Sequence, residues 1–118
     1  MAHDPAFADW IREHLADLGP IEIKPMFGAA AVYADGLIFA LLDDGVIWMK
    51  ADDENRPALE SEGARQISYS AKDGKVMFMP YWSLPDSAVD DPGEAVDWAR
   101  KSLDAARRKA ALKKPRRR

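Results

Sequence analysis

Any imidazole chemistry in this chain would have to begin at His14, because the only other imidazole, His3, stands at the extreme start, and there is no cysteine. His14 has no second histidine at an HxxxH spacing and no Glu-x-x-His partner, so a zinc pair cannot be drawn. It would also be the sole base for a serine nucleophile, and no serine occupies a nucleophile elbow. The carboxylates offer three Asp-Gly pairs, Asp35-Gly36, Asp44-Gly45 and Asp73-Gly74. A calcium loop needs oxygen ligands at alternating positions, and after Asp35 those positions are Leu37, Phe39 and Leu41. The run Asp52-Asp53-Glu54 with Arg56 reads as a charged helix start whose arginine folds back on a carboxylate. No phosphate loop of the GxxxxGK[ST] kind is present. The expectation is a non-enzymatic protein with no cofactor and no metal.

The elements around these residues explain the Asp-Gly pairs. From Pro5 to Leu18, apolar residues recur every three or four positions behind Asp4 and Pro5, and Gly19-Pro20 closes the run: an amphipathic helix. The period then becomes two. Ile21–Lys24, Ala30–Ala34, Leu37–Leu42 and Val46–Lys50 read as strands, as do Gln66–Ser70 and Val76–Met79. Asp-Gly between apolar runs is the preferred two-residue hairpin loop, because both residues accept positive φ. Residues 52–63 read as a short helix ended by Gly63. A long helix is expected from about Pro92 to Ala111, capped by Asp91, with Ala95, Val96, Trp98, Ala99, Leu103, Ala106 and Ala110 inward. The fold class is therefore α+β: an antiparallel sheet of about five strands with an N-terminal helix, a short middle helix and a long C-terminal helix. Both alternating sets of the Leu37–Leu42 strand are apolar, so both sheet faces need cover, and a homodimer is expected to supply the missing layer.

The chain of 118 residues, 47% of them apolar, suits one domain, placed at 1–111, followed by a basic flexible tail at 112–118. It has no span of membrane length, and Asp4 and Asp9 stand where a signal peptide would be cationic, so a cytoplasmic protein without membrane contact is expected. The net charge of −3 hides a division. Nearly all the acid lies before residue 100, and the last 19 residues hold ten Lys and Arg against the single Asp104. Arg107, Arg108, Lys109, Lys113, Lys114, Arg116, Arg117 and Arg118 could touch phosphates weakly and without sequence preference, or complement the chain's own acidic body.

The remaining candidates are contact residues. Tyr81-Trp82 leads into the Ser83-Leu84-Pro85 loop and is the best aromatic candidate for a contact surface, and Lys24 and Lys50 offer cationic contacts from neighbouring strands. Met26, Phe27 and Gly28 precede a run of alanines that lets a helix or a ligand approach closely.

Taken in order, Lys24-Pro25-Met26-Phe27-Gly28, Tyr33-Ala34-Asp35-Gly36, Phe39-Ala40-Leu41, Lys50-Ala51-Asp52 with Arg56, Tyr81-Trp82 and Trp98-Ala99 resemble the N-terminal domain of the TfoX/Sxy competence regulators, over about residues 5–108. The resemblance implies a secretion-chaperone-like α+β fold. It also implies a regulatory or adaptor role by protein–protein contact, assisting a transcription factor of the cyclic-AMP receptor protein type. Lys24, Met26, Phe27, Gly28, Lys50, Arg56, Tyr81 and Trp82 are its expected interaction residues. The chain departs from the family pattern at Lys24, where arginine is common, at Ala29, where a second glycine is, and at Pro80, where a serine often precedes the aromatic pair. The helical second domain of the full-length regulators is expected to be replaced here by the basic tail.

Overall fold

The computed structural model describes residues 4–26 and 28–113, residue 113 by its backbone alone. Its helix α1, Pro5–His14, begins where the sequence requires: the Asp4 carboxylate accepts hydrogen bonds from the amides of Ala6 (3.0 Å) and Phe7 (3.4 Å). The α-helix stops four residues before the expected Leu18. Leu15 leaves helical geometry at ψ 19°, and the chain tightens into a single 3₁₀ turn, Ala16–Leu18, before Gly19.

Six strands follow: β1 Glu22–Met26, β2 Ala29–Ala34, β3 Leu37–Asp43, β4 Val46–Lys50, β5 Gln66–Ser70 and β6 Val76–Ser83. They form one sheet in the order β1-β2-β3-β4-β6-β5, and every pairing is antiparallel. The count is six rather than about five, since each of the six runs read as strands is paired; β1 pairs along its whole length with β2, from Glu22 opposite Tyr33 to Met26 opposite Ala29. Asp35 and Asp44 adopt φ of 53° and 56°, followed by Gly36 and Gly45 at 75° each, which is the double left-handed geometry of a type I′ loop. They sit at opposite ends of β3. The third corner differs. Only Gly74 is left-handed (φ 86°), within a wider turn in which the Ala71 amide donates to the Lys75 carbonyl at 2.8 Å and Gly74 to Ala71 at 3.0 Å. Asp73 there accepts from the Lys75 amide instead.

Between β4 and β5, α2 spans Arg56–Ser61, shorter than expected because Asp52–Asn55 forms a turn ahead of it. Asn55 Oδ1 accepts from the Asp52 amide (2.7 Å), and Asp52 Oδ1 accepts from Glu54 and Asn55, so the side chains compete with helical pairing. A one-turn helix, α3 (Asp86–Val89), follows β6; its four residues give too short a period to read from sequence. Helix α4, Pro92–Lys113, starts under Asp91, whose carboxylate accepts from the Glu94 amide at 3.2 Å.

All four helices pack into the core on one side of the sheet, with α4 crossing β3 and β4. Ile11, Leu15, Phe39, Met49, Leu59, Ala95, Val96, Ala99 and Leu103 are buried there, each large side chain contributing about 1.5–3 kcal/mol of transfer free energy. His14 belongs to this architecture: its Nε2 lies 2.8 Å from the Ala88 carbonyl, joining α1 to α3, and its ring stacks on Trp10.

Candidate interaction surface

The opposite face of the sheet carries no helix among the described residues, yet it holds a second buried cluster of Ala31, Leu41, Trp48 and Tyr81, flanked by Met26, Tyr33, Ile38, Val46, Ile67 and Met79. Alternation brings them together. Lys24 pairs with Ala31, Ala31 with Leu41, Leu41 with Trp48 and Lys50 with Tyr81, and partners in a register share one face.

Three cations lie across this face. Lys24 Nζ stands 5.3 Å from the Tyr33 ring centre, Lys50 Nζ 5.1 Å from that of Tyr81, and the Arg65 guanidinium 5.3 Å from that of Trp48. Such contacts are worth about 0.5–2 kcal/mol each according to how far water is excluded. The exposed Lys24 and Arg65 can lay their stems along the apolar surface while keeping their charges outward. Lys50 goes further in: it is 7% exposed, and its Nζ donates to Tyr81 Oη at 3.4 Å. Burial, and secondarily Tyr33, push the Tyr81 phenol up to about 12, so at neutral pH it keeps its proton and remains a donor. Trp48 Nε1 is buried with no hydrogen-bond partner among the described residues.

Four of the expected contact residues therefore converge: Lys24, Met26, Lys50 and Tyr81. Gly28 sits exposed at the β1–β2 corner at φ 82°, and Phe27 beside it lies outside the described residues. Trp82 does not join them, because successive strand residues face opposite sides; it opposes Met49 and packs on the helix-side core. Arg56 also belongs to the helix side, 2.8 Å from Asp53, folded back as its spacing implies. Ala30 and Ala31 divide between the two clusters.

The basic residues of α4 face the acidic body. Arg108 holds Asp52 through two bonds, Nε to Oδ2 at 2.6 Å and a terminal nitrogen to Oδ1 at 2.9 Å, with Glu54 at 3.3 Å. Arg107 reaches Asp35 at 2.7 Å and Asp104 at 3.2 Å. The Arg108 guanidinium holds the Asp52 carboxyl down at about 2, well below its ordinary value. Lys109 is exposed, while the Lys113 side chain, Lys114, Arg116, Arg117 and Arg118 lie outside the described residues.

Sequence reasoning missed Arg65 and Tyr33 as members of the cationic face. The signal was the shared strand parity that carries Lys24, Tyr33 and Lys50 to one side. It also missed a cavity of about 370 Å³ on another flank, lined by Phe7, Trp10, Ile47, Arg65, Leu84 and Val89. Among the described residues no three His, Cys, Asp or Glu side chains group as metal ligands, and no helix is long and apolar enough to cross a membrane.

Likeness to known proteins runs over most of the chain. Residues 13–106 match the TfoX N-terminal domain. Protein Sxy of Escherichia coli (strain K12) is 26% identical over 107 residues, which are 91% of this chain and 51% of Sxy, so the chain spans about half the length of that relative.

Proposed function

Because the chain belongs to the TfoX N-terminal domain family, we propose that it is a cytoplasmic, non-enzymatic regulatory domain that works by protein contact in transcriptional control of competence-type genes. The observation that carries this reading is the helix-free face. The exposed Lys24 and Arg65 flank an aromatic and aliphatic floor into which Lys50 is buried, the composition of a recognition patch with a desolvated centre and a polar rim. The partner that fits is an acidic protein surface with apolar anchors, a transcription regulator in the family's role.

Deleting the gene in its source cell and recomplementing it tests this. Transcripts that fall on deletion return with the wild-type chain and with Arg56→Ala, on the helix side, but not with Lys24→Glu, whose side chain is on the rim. Unchanged transcripts on deletion, or full rescue by Lys24→Glu, would sink the proposal.

A further inference from the structure

The two margins of the sheet are unlike. At one, β1 carries Pro25, Glu22 and Lys24, a proline and two charges that discourage another strand from adding. At the other, β5 reads Gln-Ile-Ser-Tyr-Ser, with no proline and no charge, and β6 behind it reads Val-Met-Phe-Met-Pro-Tyr-Trp-Ser, also without charge. Four of the exposed large apolar side chains among the described residues stand on this one hairpin: Tyr69 (52% exposed), Val76 (58%), Met77 (41%) and Phe78 (64%).

The backbone of β5 has an open side. Ala71 and Lys75 form a hydrogen-bonded pair, and antiparallel pairing alternates, so Tyr69 bonds inward with Met77, while the amides and carbonyls of Ser68 and Ser70 point away from β6.

We propose that this margin is completed by β5 of a second copy of the chain, antiparallel about a twofold axis at Tyr69, so that Ser68 of each copy pairs with Ser70 of the other and two six-stranded sheets become one. A copy fits better than a foreign strand for a reason of symmetry. A twofold axis sets each residue against its own kind or a near neighbour, so any charge on the strand would repel itself. The strand carries none. Pairing of a strand with its own copy about a twofold is antiparallel, the form the whole sheet already uses. It would satisfy the outward amides and carbonyls of Ser68 and Ser70 and set the two Tyr69 side chains against each other across the axis, while leaving the Lys24, Lys50 and Tyr81 face available.

The test is sedimentation of the full chain from 1 to 300 μM, with far-UV circular dichroism and melting to verify folding. The wild type should sediment at twice the chain mass in the upper part of that range. Tyr69→Lys, at a half-exposed position, should stay folded and weaken association at least tenfold. Since the chain has no cysteine, Tyr69→Cys gives a single thiol, and mild oxidation should link it to its counterpart; Asp53→Cys, remote on α2's approach, should not. A chain that remains monomeric throughout, or a dimer that survives Tyr69→Lys and does not cross-link through residue 69, would overturn the proposal.

Discussion

Asp52 shows how one carboxylate can be given several partners at once. Its Oδ1 accepts from the Glu54 and Asn55 amides and from Arg108, and its Oδ2 accepts Arg108 Nε. These contacts favour the charged form and hold the carboxyl at about 2 against an ordinary 3.8. A carboxyl depressed in the folded state stabilises it above the unfolded value and loses that contribution as pH falls from 3.8 towards 2. The pair is about a third exposed, so screening reduces its worth to about 1 kcal/mol. Asp52→Asn, which keeps the oxygen facing the amides, is expected to lower urea stability by about that amount at pH 7 and by much less at pH 2.5. A double cycle with Arg108→Ala should recover a coupling of about 0.5–1 kcal/mol, and independence of the two substitutions would refute the pairing. The sequence displayed the acidic run but not this bond, because 56 residues separate the partners.

At the scale of elements, local chemistry was legible and its exceptions have local causes. The Asp4 and Asp91 caps, the two-residue corners at Asp35 and Asp44, and the inward stripe Ala95, Val96, Ala99, Leu103 and Ala106 all follow from short-range patterns. The corner at Asp73 did not follow, since Asp-Gly alone does not state whether two or three residues close the loop. The distinction is measurable. Gly45→Ala and Gly74→Ala, both forcing a side chain into the left-handed region, should each cost about 1–2 kcal/mol in denaturant unfolding. Asp73→Gly, at a residue that is not left-handed, should bring none of the relief that Asp44→Gly gives. Pro80 explains a further irregularity. Lacking an N–H, it sits where the β5–β6 register shifts between Gln66 and Ser68, and the Gln66 side-chain amide donates to the Met79 carbonyl across the gap. Hydrogen exchange should therefore be slowest in β3 and β4 and fastest around residues 70–76.

The whole molecule is a charge-divided body that partly neutralises itself. Alternation could say that Tyr81 and Trp82 face opposite sides, but not which side the helices take, because both sets of β3 are apolar; the cationic face became visible only with the register. The same limit applies to the basic end. Composition offered eight cations for phosphate contact, and the fold ties two of them, Arg107 and Arg108, to Asp35, Asp52 and Glu54. Each phosphate neutralised contributes roughly 0.9 to the slope of log K against log salt. Cations held by carboxylates contribute little, since binding would first have to break an ion pair. Titrating the intact chain against duplex DNA between 50 and 200 mM salt should give weak binding with a slope no steeper than about 5, from Lys109 and the five basic residues after it. Removal of residues 112–118 should abolish it without changing the melting temperature. A slope near 7 in the intact chain, with a slope of roughly 2–3 surviving the truncation, would mean that Arg107 and Arg108 exchange their carboxylates for phosphate, and would make the end of α4, rather than the sheet face, the place to look for a partner.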